Sequence, residues 1–340
     1  MENRNRQVLL RQRPAGVPTP ADFEIAEAPL PEPREGEVLV SGIFLSLDPY
    51  MRGRISGQRS YARPVEVGAV MEGRVVGKVA HSRDPNFREG DYVLGGFGWQ
   101  LYSAVPASAL LRLDPVEAPL STALGVLGMP GFTAYSGLRF VGMPKPGETV
   151  VVAAASGPVG SLVGQLAKIG GTRAVAIAGG SRKCSFVKEE LKFDAAVDHR
   201  SIDFPAQLAA ACPNGIDVYF ENVGGMVWQT VLPLLNNFAR VPVCGLVAQY
   251  NGVGAGDGID RLPVTMHEIL FKSLTLRGFI YEEFVSQHYS EFLREVGALI
   301  ADGRIRYRED VADGLERAPE AFIAVLDGRN FGKAIVRVSA

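Results

Sequence analysis

The segment of this sequence best suited to chemistry is Ala155-Ser156-Gly157-Pro158-Val159-Gly160. It follows the apolar run Thr149-Val150-Val151-Val152-Ala153-Ala154. The spacing is AxGxxG, a variant of the dinucleotide fingerprint with alanine at the first glycine position. Gly157 lets the backbone approach a pyrophosphate, and Gly160 lets a helix pack closely on the preceding strand. Pro158 suits the first helical position, where no N–H is needed. The N–H groups from Ser156 to Ser161 are then expected to point at an anion on the positive end of the helix dipole. Two glycines that serve packing alone are the competing reading. The strand–turn–helix context favours the nucleotide.

The residues that follow decide which nucleotide. A site for NAD places Asp or Glu about 20 residues on, against the ribose 2′-hydroxyl. Here Ile177-Ala178-Gly179-Gly180-Ser181 occupies that region, and no carboxylate occurs between Gly157 and Lys188. Arg182 and Lys183 follow Gly180 instead. A missing acid and two added cations favour a 2′-phosphate, hence NADP(H). A solvated helix start is the alternative for these cations, but there they would oppose the macrodipole.

Other chemistries find little support. His81, His199, His267 and His288 are scattered, and Cys184, Cys212 and Cys244 form no CxxC pair, so no metal set is expected. An odd, sparse set of cysteines reads as reduced thiols in a cytoplasmic protein. No GxSxG elbow follows a strand, which leaves a Ser-His-Asp hydrolase unsupported. Lys plus Arg (35) against Asp plus Glu (37) gives a net charge of −2, without a footprint for nucleic acid or an anionic membrane. No apolar run reaches the roughly 18 residues of a membrane helix. Arg4, Arg6, Arg11 and Arg13 surround Gln7–Leu10, which is too short for a secretory apolar region and reads as the first strand.

The elements that must position this chemistry fall into two groups. A length of 340 residues, 47% hydrophobic and 21% charged, fits about two globular domains. Residues 1–127 read as β-rich, with β-branched runs at Glu37–Ile43 and Gly73–Val79 between turn residues. From Met129, strands alternate with helices. Strands are expected at Thr149–Ala154, Ala174–Ala178, Ala195–Asp198, Ile216–Phe220 and Arg240–Cys244, and helices at Pro158–Ile169 and Ser181–Leu191. Continuous apolar strands alternating with helices imply a doubly wound parallel sheet covered on both faces. The tail Gly332–Val338 is again a strand and is expected to return to the first domain. The expected division of this α/β chain is 1–127 plus 306–340 for the β-rich domain and 128–305 for the nucleotide-binding one. Asn251 to Asp260 carries four glycines and reads as a loop able to serve as a lid.

Several segments together carry a family likeness: Asn5–Leu10, Asp48-Pro49-Tyr50-Met51-Arg52, Ala154–Gln165, Phe220-Glu221-Asn222-Val223-Gly224-Gly225, Cys244-Gly245 with Tyr250-Asn251, and Asn330-Phe331-Gly332-Lys333. On these residues the chain resembles the zinc-independent medium-chain dehydrogenase/reductases, in the group of prostaglandin, alkenal double-bond and curcumin-type reductases. The resemblance implies a GroES-like β-rich catalytic domain with a Rossmann domain, NADPH as hydride donor, and a homodimer. It implies that Lys183 holds the 2′-phosphate, that Asn222, the backbone of Cys244, Gly245, Leu246 and Val247, and Asn330 line the cofactor, and that Phe279 and Ile280 border the nicotinamide. By the same resemblance Tyr250 lies near the substrate carbonyl and Tyr50 in the pocket. Where the family often shows Tyr before Lys after the third Rossmann strand, this chain has Asp198-His199-Arg200, and His199 and Arg200 can serve an anion.

The implied reaction is reduction of the C=C bond of an enone or enal. Charge developing on the carbonyl oxygen would be met by the Tyr250 hydroxyl and a cofactor ribose hydroxyl. Quinone reduction on the same fold and cofactor, or a non-enzymatic NADPH-binding protein, are the alternatives.

Overall fold

The computed structural model describes residues 4–57, 62–252 and 259–338. The chain starts with an antiparallel pair, β1 (Arg4–Leu10) and β2 (Phe23–Pro29). Then come β3 (Glu37–Ser46), the single turn of helix α1 (Met51–Arg54), β4 (Val75–Ser82), β5 (Tyr92–Gly95), β6 (Tyr102–Pro106) and β7 (Leu111–Leu113). From α2 (Met129–Ser136) the pattern alternates: β8 (Thr149–Val152), α3 (Pro158–Ile169), β9 (Arg173–Ala178), α4 (Ser181–Glu189), β10 (Ala195–Asp198), α5 (Phe204–Ala211) and β11 (Ile216–Phe220). It continues with α6 (Gly225–Val231), β12 (Leu235–Val243), α7 (Leu262–Lys272), β13 (Thr275–Gly278) and α8 (Glu282–Ala301). The chain closes with β14 (Glu309–Asp313), α9 (Ala318–Leu326) and β15 (Lys333–Arg337).

Two compact units result, Met1–Gly125 with Glu309–Ala340, and Val126–Arg308. In the first, the sheet runs β14-β15-β3-β4-β5-β7, and β6 also pairs with β3. The tail strand β15 pairs antiparallel with β3, Val336 opposite Leu45, so the end of the chain does return to the β-rich unit. Its core gathers the alternate inward residues of these strands around Trp99, which stacks on Phe23 (5.9 Å between centroids) and meets Phe322 edge-on.

In the second unit six strands run in the order β10-β9-β8-β11-β12-β13, every neighbouring pair parallel. Central strands β8 and β11 are apolar on both faces, and Val150, Val151, Val152, Val218, Tyr219 and Phe220 are wholly buried. This is why they read as continuous runs rather than alternating ones. Strand order reverses between β8 and β11. In open sheets of this kind ligands bind outside the carboxyl ends of the strands at such a switch point.

One expected strand is shorter than its apolar run. β8 ends at Val152, and Ala154 takes a left-handed φ of 52°. The chain must reverse there to enter α3, so the last alanines of the run form the turn instead of the strand. Of the loop expected at Asn251–Asp260, residues 253–258 lie outside the described residues.

Candidate active site

The glycine turn joins β8 to α3. Gly157 is the extended residue before the helix, Pro158 opens it, and no side chain caps it. A Cβ on Gly160 would lie 2.5 Å from the Ala154 carbonyl oxygen and 2.8 Å from Ala155 Cα. Position 160 therefore admits no side chain without moving the turn. Ala155 N–H donates to Ile177 O across the neighbouring strand (3.0 Å), which fixes the turn to the sheet. The structure narrows which N–H groups from Ser156 to Ser161 are open to an anion. Gly157 N–H donates to Ala154 O (3.0 Å) and Ser161 N–H to Gly157 O (2.9 Å), and Pro158 has none. The turn and first helical turn use those groups, which leaves the N–H groups of Ser156, Val159 and Gly160 as the donors of this stretch.

At the end of β9 the backbone is Gly179-Gly180, with Gly180 at φ 90°. A Cβ on Gly179 would lie 3.0 Å from both His199 Nε2 and Arg200 Nε. The glycine thus makes room for the His199 and Arg200 side chains from the loop after β10. Lys183, in the first turn of α4, acts on the same histidine: burial, then the Arg200 and Lys183 cations, hold His199 below its ordinary value. Asp198 is the carboxylate nearest this cluster. Its Oδ1 accepts the N–H groups of Gly180 and Arg200 (2.9 Å each). Burial works against its charge, but these hydrogen bonds prevail and hold it below the usual carboxylate range. It orders the two loops from beneath. A cradle of this kind, rich in Lys and Arg and with no acid at the end of β9, fits a phosphate better than a ribose 2′-hydroxyl.

Beyond the switch point, the loops after β11 and β12 lie side by side. Asn222 Nδ2 donates to Ala153 O (2.8 Å), which ties the β11 loop to the end of β8. Cys244 N–H and Gly245 N–H donate to Glu221 O, and Val247 N–H donates to Asn222 O. The segment 244–247 thus has these N–H groups engaged, and what they leave to an occupant is chiefly carbonyl oxygen. Leu246 packs over Gly224, and a Cβ on Gly245 would lie 3.2 Å from Tyr250 Oη. Glycine at 245 leaves the space in which the Tyr250 hydroxyl sits. The Cys244 thiol is pushed up to about 12 by burial and by Glu221, so it is no nucleophile at neutral pH. Phe279 is a core residue: its ring meets Phe220 edge-on at 6.1 Å and fills the space beside Gly137. Position 279 therefore offers an occupant its backbone, while Ile280 is exposed.

Glu221 was not among the site residues expected from sequence, although it stands inside a quoted motif. Its buried Oε1 accepts Val223 N–H (2.6 Å), Gly224 N–H (2.8 Å) and the Tyr219 hydroxyl (3.0 Å). Among the described residues its Oε2 has no hydrogen-bond partner. Burial raises its pKa. The signal in the sequence is a carboxylate immediately after an apolar strand, where a loop's N–H groups can answer it.

Tyr50 and Asn330 belong to the β-rich unit. Tyr50 is half-buried against that unit's core, with the Arg54 guanidinium 5.6 Å from its ring centre. Asn330 Nδ2 donates to Gly332 O (2.9 Å), closing the turn before β15. Among the described residues no group of three or more His, Cys, Asp or Glu side chains could hold a metal ion. Among them, too, no helix is long and apolar enough to cross a membrane.

A GroES-like β-rich unit and a Rossmann unit with a phosphate-adapted second strand define a medium-chain dehydrogenase/reductase. Comparisons with known proteins agree and narrow this. Residues 6–113 match the family described as N-terminal domain of oxidoreductase, and residues 158–298 the family described as zinc-binding dehydrogenase. The chain is 50% identical to an NADPH-dependent curcumin reductase of Escherichia coli over 99% of its own length and 98% of the relative's. It is 40% identical to a 2-alkenal reductase (NADP(+)-dependent) of Nicotiana tabacum, over 98% of each. The structure of CurA from Vibrio vulnificus in complex with NADPH superposes with a TM-score of 0.95 at 47% identity, covering 98% of this chain and 99% of that one. The chain belongs to the medium-chain dehydrogenase/reductases, in the group of NADP-dependent oxidoreductases that holds the curcumin and alkenal reductases.

Proposed function

We propose that the protein reduces the C=C bond of α,β-unsaturated ketones and aldehydes with NADPH. When bound, the cofactor supplies hydride to the β-carbon. Charge then develops on the carbonyl oxygen, and a donor already aimed at that oxygen stabilises it. Tyr250 Oη is that donor, with a cofactor ribose hydroxyl beside it. A phenol with a pKa near 10 donates at neutral pH without standing as an anion. The α-carbon takes its proton from water or Tyr250. The N-terminus of α3 holds the pyrophosphate, and Lys183, Arg200 and His199 hold the 2′-phosphate. Asn222, the 244–247 carbonyls, Phe279, Ile280 and Asn330 line the cofactor, and Tyr50 shapes the pocket.

The observation that carries this reading is the Tyr250 hydroxyl lodged against Gly245, on the loop at the carboxyl end of β12. The test is NADPH and NADH oxidation with a short alkenal, an aryl enone and a simple quinone, products identified. Saturated ketone or aldehyde formed with NADPH is expected. Turnover of the quinone alone would move the protein to quinone reduction, and NADPH binding without any turnover would count against the catalytic role.

We also propose a homodimer built on the β13 edge. All four residues of β13 are exposed, and α7 beside it exposes Leu262, Val264, Met266, Leu270 and Phe271. An open edge strand beside an apolar helix face suits a second copy related by a twofold axis. A dimer by sedimentation that Leu276→Arg splits is expected, and a monomeric wild type would end the idea. The three unpaired cysteines accord with a cytoplasmic location, which fractionation of cells checks.

A further inference from the structure

The β-rich unit buries an ammonium group. Lys333, the first residue of β15, is 2% exposed. Its Nζ donates to Leu47 O (2.6 Å), Asp48 Oδ1 (3.0 Å) and Ala334 O (3.0 Å). Three protons meet three acceptors, so the group is fully satisfied. Asp48 is buried as well, and its Oδ2 accepts the Ser46 hydroxyl. Burial drives the lysine pKa down, and the facing carboxylates of Asp48 and Glu309 oppose that.

The groups that Lys333 holds are the two ends of functional turns. Leu47 and Asp48 lead from β3 into the turn that presents Tyr50, and Met51 N–H closes that turn on Asp48 O (3.1 Å). On its own strand Lys333 follows Asn330-Phe331-Gly332. That turn is fastened by Asn330 to Gly332 O and by Phe331 N–H to Asp310 Oδ2 (3.1 Å). One ammonium therefore joins the Tyr50 turn to the Asn330 turn, across 285 residues of sequence. Stability alone does not call for it. An apolar pair of similar volume often serves a fold as well as a buried ion pair does. What a satisfied buried pair adds is a defined geometry at both ends.

We infer that Lys333, through Asp48, is a positioning residue that sets Tyr50 and Asn330 relative to each other for turnover. The inference rests on the roles proposed above for those two residues.

The test compares wild type with the double variant Asp48→Asn/Lys333→Met, which removes both charges and keeps much of the volume. Lys333→Met alone strands a buried carboxylate and is a control for misfolding. Hydrogen exchange is read first, because it needs no substrate. Residues 47–54 and 328–333 are expected to exchange faster together in the double variant, with the rest of the unit unchanged. If neither segment or only one of them responds, the joint is overturned. Kinetics with NADPH and an aryl enone follow. The double variant is expected to lose kcat on the order of ten- to a hundredfold, the scale of a misplacement of about an ångström. NADPH Kd by cofactor fluorescence should change far less. A lower melting temperature with unchanged kcat and KM would make the pair merely structural and overturn the inference. Wild type that oxidises no NADPH with the enone counts against the proposed function instead, and exchange still decides the joint.

Discussion

Asp48 and Glu221 are buried carboxylates at the heads of two turns, one in each unit: the Asp48 turn presents Tyr50, and the Glu221 backbone carbonyl accepts the Cys244 and Gly245 N–H groups of the loop that carries Tyr250. They are answered in opposite ways. Asp48 meets the ammonium of Lys333, a side chain from the far end of the sequence. Glu221 meets the N–H groups of Val223 and Gly224, its near neighbours, and the Tyr219 hydroxyl. In the Rossmann unit the turn can be ordered locally, because parallel strands end together at one edge and their loops supply N–H groups to one another. In the β-rich unit the turn after β3 is held from another strand by charge. The first arrangement keeps its carboxyl able to take up a proton. The second depends on both partners being present.

That contrast can be broken or sharpened by four measurements, taken here from the largest expected effect to the smallest. Asp48→Asn takes from buried Lys333 the carboxylate it is hydrogen-bonded to, and loss of one partner of a buried pair costs about 3–5 kcal/mol. Denaturant midpoints should show it, and a loss below about 1 kcal/mol would mean that the pair is no more than an ordinary hydrogen bond.

The two tyrosines come next. Tyr250→Phe is expected to lower kcat on the order of 10²-fold, the effect of losing one donor to a developing oxyanion. NADPH affinity should hold. Tyr50→Phe should act mainly on KM for the enone, as a change in uniform binding does. Equal effects of the two would erase the division of roles.

Lys183→Ala is expected to weaken NADPH and leave NADH untouched. Charged hydrogen bonds are worth about 1.5–3 kcal/mol, so roughly tenfold or more in Kd. Equal weakening of both cofactors would remove Lys183 from the 2′-phosphate.

The smallest effect concerns pH. Burial raises the Glu221 carboxyl in the folded state. The native protein therefore holds this proton more firmly than the unfolded chain. Stability that the protonated form supplies falls as pH rises from the ordinary carboxylate value through the folded one. Glu221→Gln cannot lose that proton. Its melting temperature relative to wild type should improve steadily from acid toward neutral pH, and a difference independent of pH would show that folding does not raise the Glu221 carboxyl.

Much of the Rossmann unit was legible in the sequence because its signals are local. The strand Ala195–Asp198, the helix Pro158–Ile169 and the packing glycine at 160 need only neighbouring residues to be understood. The run Thr149–Ala154 was read too long, since hydropathy does not tell where a buried strand turns back. Missing acid after β9 pointed to a phosphate, yet the convergence of His199 and Arg200 on Gly179 depends on β10 lying beside β9. The carboxyl group of Glu221 stood in a recognised motif, but its role as an anchor emerged only once its oxygens were placed against Val223 and Gly224.

The sequence by itself determined the fold class, the parallel sheet, the dinucleotide turn and the preference for a phosphate at the second strand. These follow from apolar periodicity, from glycines where a Cβ would collide, and from the sign of a few side chains in one short stretch. Only the tertiary structure decided which backbone N–H groups are engaged within the loops, where the Tyr250 hydroxyl sits, and that Lys333 reaches back to Asp48. Those outcomes depend on which distant strands become neighbours, and no local pattern of charge or hydropathy encodes a contact made across 285 residues.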